Sequence, residues 1–517
     1  MHIWNKSRKN LQISCMFLVI VSPVAFVSGY ALKINDIIST LVEGPVSCEP
    51  DPTRFVDINY TRLAEMVQWA DTRFENYHVA LNMSTDTSFV DDGTFANVDS
   101  YRFSDNQALQ GGYAVAAYAF KCLAGKRENN SIIKNDALRV LRNLTYGFSM
   151  FLRVPNGGLG PEYPGILARG YSPPDPDGIG SFYFQGHPKE ANGTGIYSDW
   201  RWRGFTSNDE HSGFYLALAV LLKYVDDDPF IANLTRLMIE QIAHYMVQTN
   251  FIGFQQYGGP SGIEQKPRAF YGGYWVACLL KMASIVNPAV YEPVYYHWLS
   301  SEGVALSGRT GLSFNQVSDY FAYLLDYGPV FAFFILEDPQ TAIWKQLHEG
   351  YLESLWSYVK NNRNAYFNAL HLGILAAAGQ ARRGDYPVIE HDLEDQLMRM
   401  EINHFPDRLD PKPAVPGDYE LSQEMIQARQ FLTEDPAGRQ LAFLFDNVDY
   451  EEVWYAEPLS VEYRPAHSFM WELSPFWQEV RYENATCETA GLTLTTPYWI
   501  ARAYGYILPD GMKPNVF

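Results

Sequence analysis

The sequence has little charge, few cysteines and, beyond its first residues, no long apolar run. Charged residues make up 19% of the 517 residues, and 59 acidic against 39 basic side chains give a net charge of −20. So acidic a chain repels nucleic acid and anionic membranes at long range, which argues against a nucleic-acid partner. After residue 31 no segment reaches the roughly 18 apolar residues of a membrane span, so we predict no stable span there.

Only five cysteines are present, and none has the CxxC spacing of a metal site. Cys15 lies in the N-terminal apolar segment, which leaves four. Cys48 and Cys487 would join the two ends of the chain as a disulfide, although spacing alone does not fix the connectivity. We predict no metal and no cofactor. The consecutive acidic and histidine residues at 209–211 point about 100° apart on a helix and cannot share one ion.

Apolar and aromatic residues are abundant. Hydrophobic residues make up 47% of the chain and aromatic residues 15%. This composition supports a large core and excludes a disordered or coiled-coil chain. Tyr and Trp combine an apolar face with a polar group, which suits wet clefts and sugar faces as well as cores. The sequence therefore predicts a globular protein whose aromatic excess can serve a cleft.

Residues 1–31 have the features of a signal peptide. Lys6, Arg8 and Lys9 precede an apolar stretch at 16–27, and small residues follow it. The alternative is an uncleaved N-terminal anchor. We expect a secreted or extracellular-surface glycoprotein, because seven N-x-S/T sequons follow the signal, at Asn59, Asn82, Asn129, Asn143, Asn192, Asn233 and Asn484.

Apolar residues recur every three to four positions in twelve segments, which predicts twelve helices. These segments lie near 60–80, 105–124, 131–152, 208–225, 229–250, 269–286, 288–300, 314–336, 339–360, 364–380, 388–404 and 489–506. No run of alternating β-branched residues is long enough for a large sheet.

Some of these helices resemble one another. GGYAVA at 111–116 and GGYWVA at 272–277 are each followed by a lysine at nearly the same distance, Lys121 or Lys281. Such glycine-rich, apolar segments alternate with amphipathic segments, which have one apolar and one polar face. This order predicts an all-α (α/α)6 toroid of paired inner and outer helices, with inner helices starting near 105, 208, 269, 314, 364 and 489. An open α-solenoid is the alternative.

We divide the chain into a signal peptide at 1–31, a toroid catalytic domain at 32–404 and 489–517, and an irregular covering segment at 405–488. In a toroid all inner helices begin at one end, so the connections leading into them line one mouth. These connections are long here, and connections of more than about 12–15 residues are usually functional or disordered. They lie at 80–104, 153–207, 251–268 and 301–313.

Two inner helices begin with similar polar residues, which include the candidate catalytic groups. Asp105 and Asp209 occupy equivalent positions, and Glu210 follows. Glycoside hydrolysis needs two carboxyl groups, and carboxylates at the mouth would supply them. The alternative is that Glu210 completes a capping box with Ser207 and that the aspartates only favour the positive helix end.

Further polar and aromatic residues near the mouth are candidates for substrate binding. An aromatic face can stack on a sugar, while arginine and asparagine side chains bond its hydroxyl or carboxylate groups. The ordinary interpretations are a turn for Asp92, core packing for the tryptophans and a plain helix residue for His211. The candidates are Asp92, Tyr101, Arg102, Trp200, Trp202, Arg203, His211, Arg268, Tyr271, Asn315 and Asn368.

A resemblance to a known family rests on the helix order and on two segments, DSYRFSDNQALQGGY at 99–113 and SDWRWRGFTSNDEHSGFY at 198–215. The chain resembles the six-hairpin glycosidase superfamily, which also contains polysaccharide lyases and sugar epimerases. GLTLTTPYWIARAYGYI at 491–507 looks like the closing helix of exported proteins of this kind. The resemblance implies a toroid that binds glycans. It carries over no catalytic residue, because no catalytic signature of one family matches.

The leading hypothesis is an exported glycoside hydrolase that acts on an oligo- or polysaccharide with an Asp/Glu pair at the mouth. One alternative is a polysaccharide lyase or uronate epimerase, with Tyr or His as base and Arg and Asn on the uronate carboxylate. Another is a non-catalytic glycan-binding or surface-layer protein. A carboxylate pair at the mouth favours the hydrolase, and an Arg/Asn/Tyr/His cluster without one favours the lyase.

Overall fold

The computed structural model describes residues 49–102, 106–174, 190–254, 262–264, 273–300, 320–400, 415–441, 453–464, 469–478 and 486–509. The predicted signal peptide lies outside these ranges. So do Cys48, one sequon and four candidate site residues, namely Asn484, Asp105, Arg268, Tyr271 and Asn315.

Inner and outer helices alternate along the described chain. The inner helices are α2 (Gln107–Arg127), α4 (Asn208–Tyr224), α6 (Gly273–Val286), α8 (Tyr320–Leu336), α10 (Ala365–Ala377) and α14 (Leu492–Ala503). The outer helices are α1 (Tyr60–Tyr77), α3 (Ser131–Asn156), α5 (Pro229–Gln248), α7 (Pro288–Trp298), α9 (Ala342–Tyr351) and α11 (Pro387–Met398). The covering segment adds α12 (Gln423–Glu434) and α13 (Pro436–Leu441).

The inner helices form a closed ring. Helix α2 packs on α4, α4 on α6, α6 on α8, α8 on α10, α10 on α14, and α14 returns to α2. The first outer helix, α1, packs on α14 and completes the last pair. A closed ring of this kind is an (α/α)6 toroid, so the predicted fold is confirmed and the open solenoid is excluded.

Burial explains why the chain sorts its helices into two rings. In α8 every residue from Ala322 to Leu336 is buried, as a helix that is apolar all round must be. Helix α3 instead buries one face, while Arg142 and Asn143 on the other face are exposed. Asn130 caps the start of α3 by accepting hydrogen bonds from the amides of Ile132 and Ile133 at 3.1 and 3.2 Å.

The α2–α4 crossing explains the glycine repeat. A Cβ on Gly112 would lie 2.2 Å from the carbonyl oxygen of Gly213, and a Cβ on Gly213 would lie 2.4 Å from that of Leu109. The two backbones therefore touch only because both positions lack a side chain. Gly111 is different, since a Cβ there would meet nothing closer than Phe148 at 3.6 Å.

The repeated lysines stabilise the opposite end of the inner ring. The Lys121 amine on α2 lies 3.0 Å from Asp71 of α1 and 2.7 Å from Asp136 of α3. The Lys281 amine on α6 lies 3.0 Å from Glu337, directly after α8. Each lysine thus joins its helix to neighbouring elements through buried or half-buried ion pairs.

The connections carry short antiparallel strands in five small sheets. Their pairing is β1–β2, β12–β3–β4, β5–β7–β6, β8–β9 and β10–β11. The strands are β1 (Val79–Ala80), β2 (Met83–Ser84), β3 (Asp86–Phe89), β4 (Val98–Arg102), β5 (Gly170–Ser172), β6 (Glu190–Asn192), β7 (Arg201–Arg203), β8 (Ile252–Phe254), β9 (Gly262–Glu264), β10 (Val453–Trp454), β11 (Trp477–Gln478) and β12 (Cys487–Glu488).

The sheet of β3, β4 and β12 joins distant parts of the chain, because Cys487 pairs in register with Ser88. The thiol of Cys487 is buried, as are those of Cys122 and Cys278. Within the ranges given above, no helix is long and apolar enough to cross a membrane.

The covering segment is anchored to α10 and α11 through arginines. Arg363, just before α10, donates to Asp392 of α11 at 3.1 Å and to the Ser460 hydroxyl of the segment at 2.6 Å. Arg464 of the segment donates back to the carbonyl of Arg363 at 2.7 Å. These buried bonds fix the turns that follow along the segment.

We expect Gly112→Ala to destabilise the protein by about 1–3 kcal/mol, the usual cost of forcing extra volume into a packed interior. The neighbouring Gly111→Ala is the matched control. It should be neutral or stabilising by up to roughly 1 kcal/mol, because alanine favours helix and has room there. Urea unfolding of both variants measures the difference, and equal effects would show that the crossing does not require Gly112.

Candidate functional site

Four side chains lie near the starts of the inner helices and influence one another through ring contact or charge, and we call them the mouth cluster: Tyr113, Asp209, Tyr366 and Glu472. Asp209 and Tyr366 lie in the first turns of α4 and α10, and Tyr113 lies in the second turn of α2. Glu472 ends a short 3-10 turn of the covering segment, Met470–Glu472, which packs on α8 and α10. The toroid thus collects residues that are far apart in sequence.

The turn that carries Glu472 is held by the first residues of two inner helices. Asn364 caps α10 and donates from its side-chain amide to the carbonyl of Trp471 at 2.9 Å. The Trp471 indole N–H donates to the carbonyl of Thr493 in α14 at 2.7 Å. Glu472, which is itself buried, therefore has a fixed position beside the starts of α10 and α14.

The two carboxyl groups of the cluster influence each other electrostatically. Burial raises the pKa of Asp209, and the negative charge of Glu472 adds to the rise, whereas Arg169 opposes it. Asp209 is half-buried and so remains in contact with solvent. A partly accessible carboxyl group with a raised pKa is suited to donating a proton near neutral pH.

The two tyrosines of the cluster are fully packed yet lack hydrogen bonds. The Tyr113 ring stacks on Phe469 at 4.3 Å and lies edge-on to Tyr366 at 5.7 Å. Neither hydroxyl has a hydrogen-bond partner among the residues in the described ranges. Burial raises the pKa of Tyr113 well above 10, and the charges of Tyr366, Glu472, Asp209 and Glu210 raise it further, so the phenol stays protonated.

Glu210 caps the neighbouring helix. Its carboxylate accepts from the first-turn amides of α2, those of Ala108 at 3.0 Å and Leu109 at 3.3 Å. The capping-box interpretation is wrong, because Ser207 makes no side-chain cap bond to α4. Burial raises the pKa of Glu210 to about 8, against the opposing effect of Arg169. With no exposed surface, Glu210 has a structural role in the α2–α4 crossing.

Arg169 connects this cap to the mouth loop. Its guanidinium donates to the Asn106 side chain at 3.1 Å and the carbonyl of Phe205 at 2.8 Å, and lies 3.3 Å from Glu210. Phe205 has a φ of 56°, a conformation that costs an aromatic residue roughly 1–3 kcal/mol. Its ring is 38% exposed. The arginine therefore helps to hold an exposed aromatic ring four residues before Asp209.

The predicted tryptophan and arginine sites around 200–203 lie in the sheet of β5, β6 and β7. Trp202 is buried and donates its indole N–H to the carbonyl of Asn192 at 2.8 Å, so its ring belongs to the core. Trp200 is half-buried against Tyr197 at 5.6 Å. Arg203 is buried as well, and burial lowers its pKa while the charge of Glu210 opposes this.

Three predicted binding residues lie on β4 and the loop before it. Asp92 is exposed and closes a turn by accepting from the Thr94 amide at 2.8 Å and from Asn97 at 2.6 Å. Hydrogen bonding to Thr94 and Asn97 lowers the pKa of Asp92. Tyr101 is half-buried on β4, and the Arg102 guanidinium contacts the Cys487 sulfur at 2.6 Å. These contacts match the turn interpretation of Asp92.

His211 and Asn368 are buried and bonded to protein atoms. The Nδ1 atom of His211 lies 3.0 Å from the carbonyl oxygen of Ser207, and burial lowers the pKa of His211 to about 4. The Asn368 amide donates to Asp392 at 2.9 Å, within the buried arginine network of α10 and α11. We do not assign either residue to the mouth cluster.

The mouth cluster thus contains one predicted catalytic residue, Asp209, and three that sequence reasoning missed. Tyr113 was visible as the aromatic position of the GGYAVA repeat. Glu472 was visible as a lone acid after the apolar Phe469-Met470-Trp471 run, where burial of a carboxylate requires a reason. Tyr366 was visible as an aromatic residue at the start of the fifth inner helix, beside the candidate Asn368. Asp105, Arg268, Tyr271 and Asn315 stay predictions.

The raised pKa of Glu210 predicts a pH-dependent stability. Between its ordinary pKa of 4.5 and its folded value of about 8, the folded chain binds the proton more tightly than the unfolded chain. Glu210 therefore makes stability fall as pH rises through this window, by up to about 1.4 kcal/mol per pH unit. We expect Glu210→Gln to remove that part of the slope in urea unfolding at pH 5, 6.5 and 8. Parallel slopes for both proteins would contradict the assignment.

Comparison with known proteins finds similarity in structure. No protein-family profile and no curated protein sequence matches the chain. The crystal structure of the GH family 9 endoglucanase J30 aligns with a TM-score of 0.41 and 10% identity, covering 86% of this chain and 84% of that one. The catalytic domain of Clostridium thermocellum CelT aligns with a TM-score of 0.37 and 12% identity, covering 85% and 86%.

Proposed function

We propose that this chain is an exported glycoside hydrolase that acts on a neutral oligo- or polysaccharide. Asp209 is the proton donor, and Glu472 is the second carboxyl group, acting as base or nucleophile. The observation that carries the proposal is the position of the two carboxyl groups, Asp209 in the first turn of α4 and Glu472 on the 3-10 turn that packs on α8 and α10. The charge of Glu472 contributes to the raised pKa of Asp209. The endoglucanase among the structurally similar proteins agrees with this class of reaction.

The chemistry of glycoside hydrolysis fits this pair. One carboxyl group must be protonated to donate to the leaving oxygen, while the other must be ionised to activate water or attack the sugar. Two such roles arise when the environment moves the pKa values of two carboxyl groups apart. Burial and the charge of Glu472 keep the proton on Asp209 to higher pH.

The arrangement of charges favours a neutral substrate over a uronate. A uronate carboxylate entering the mouth would meet the carboxyl groups of Asp209 and Glu472, which offer it no positive charge. The guanidinium of Arg169, which acts on Asp209, is already directed at Asn106, Phe205 and Glu210. The lyase or epimerase alternative is therefore the weaker proposal. The exposed Phe205 ring offers an apolar face for a sugar.

Hydrolysis by this pair is tested with Asp209→Asn and Glu472→Gln on a panel of neutral and acidic glycans. We expect the protein to release new reducing ends from a neutral glycan, and each variant to lose about 10²- to 10⁴-fold in kcat/KM. Asp226→Asn is the matched control, because Asp226 lies exposed just after the other end of α4. It should keep the full rate.

Three results would redirect the proposal. Full activity in both carboxyl variants would remove the site assignment. Unsaturated uronates, followed by their absorbance, would identify a lyase. Binding of a glycan without cleavage would favour the non-catalytic alternative.

Export is supported by the N-terminal residues and by the positions of the sequons. Five sequon asparagines in the described part of the chain are exposed, and Asn82 is half-buried. Such sites are accessible to a glycosylating enzyme. The exposed ones are Asn59, Asn129, Asn143, Asn192 and Asn233.

Expression of the full chain in a eukaryotic secretory host tests export. We expect the protein in the medium, a new N-terminus near residue 31, and a loss of mass when peptide N-glycosidase removes its glycans. Retention in the membrane fraction with an intact N-terminus would support the uncleaved anchor. An intracellular, unglycosylated protein would contradict export altogether.

A further inference from the structure

We infer that the hydroxyl groups of Tyr113 and Tyr366 form a sugar subsite at the mouth of the toroid, which binds hydroxyl groups of one ring of the substrate. This inference rests on the proposed glycosidase function and adds the residues that hold the sugar beside the two carboxyl groups. Its basis is that these two buried hydroxyls lack a protein hydrogen-bond partner in the described ranges.

Several buried tyrosines elsewhere in the described ranges have partners for their hydroxyls. Tyr171 donates to the carbonyls of Leu81 and Gly147, both at 2.9 Å. The hydroxyls of Tyr327 and Tyr351 lie 2.9 Å from each other. Native proteins satisfy most buried polar groups, and the exceptions require an explanation.

Tyr113 and Tyr366 are the two tyrosines of the described chain whose buried hydroxyls have no protein partner. Their rings are neighbours at 5.7 Å, and Phe469 contacts both of them. Among the other buried polar atoms without a partner in these ranges, Thr206 Oγ1 and Asn208 Oδ1 lie at the start of α4, close in sequence to Asp209.

A sugar hydroxyl suits this environment because it donates and accepts at once. Tyr113 stays protonated near three carboxyl groups, so its O–H can donate to a hydroxyl oxygen of the ligand. That same hydroxyl can donate in turn to a carboxyl oxygen such as those of Glu472. Close aromatic packing holds both phenols rigidly, and such pre-organisation limits the entropy lost on binding.

The two phenol hydroxyls are expected to destabilise the folded protein while no ligand is bound. A buried hydroxyl without a partner destabilises the folded state, because it has lost its hydrogen bonds to water. Residues that serve a ligand commonly carry such a cost. Replacing either tyrosine by phenylalanine should therefore keep or raise the stability and lower the activity. Loss of a purely structural hydrogen bond would not have this pair of effects.

The test compares Tyr113→Phe and Tyr366→Phe with the matched control Tyr327→Phe, whose hydroxyl is bonded. We expect the first two variants to keep or raise Tm and to lose about tenfold in kcat/KM on the glycan that the wild type cleaves. Tyr327→Phe should lower Tm and leave kcat/KM of the folded enzyme unchanged. Monodeoxy versions of the substrate complete the experiment.

A substrate that lacks the bound hydroxyl should lose about tenfold with the wild type and nothing further with the corresponding phenylalanine variant. The subsite is wrong if both variants keep kcat/KM within about twofold, or if they lower Tm as Tyr327→Phe does. In those cases inactivity of Asp209→Asn would show that the proposed function still stands. A wild type that neither cleaves nor binds any glycan would overturn the function and the subsite together.

Discussion

The contact between α2 and α4 at Gly112 and Gly213 is the constraint on which the mouth depends. Because both residues lack a side chain, two inner helices lie backbone to backbone, and the start of α4 comes within reach of the start of α2. Glu210 then caps α2 from α4. A helix usually takes its cap from its own chain just before its first turn. Here the cap crosses between helices, so the contact also fixes the orientation of Asp209, the residue before Glu210.

The rest of the site follows from closing the ring. Six inner helices begin at one end of the toroid, and their first turns therefore converge. Asn364 and Thr493 hold the 3-10 turn of the covering segment over this convergence, and the turn carries Glu472. Buried bonds between Arg363 and the segment residues Ser460 and Arg464 hold the chain before that turn. In the proposed function the covering segment is part of the site, because it supplies one of the two carboxyl groups.

The sequence predicted the fold more completely than the site. Helix periodicity is a local property, and the difference between α8, buried all round, and α3, buried on one face, was visible in composition. Asp209 was found because it begins a helix with polar residues. Glu210 was also noticed, but its partner was not, since the amides of Ala108 and Leu109 belong to another helix. Trp202 looked like a binding residue from its neighbours, whereas its indole bonds the Asn192 carbonyl in the core.

The sequence by itself determined the order and type of the toroid helices and the positions of their glycines, which depend on residues within one or two helical turns. Composition alone determined the acidic character of the chain. Only the tertiary structure decided which carboxyl groups meet, which tyrosine hydroxyls lack a partner and which glutamate caps a neighbouring helix. The physical reason is that such contacts join residues far apart in the chain. Their proximity arises when the ring closes, and periodicity or spacing does not encode it.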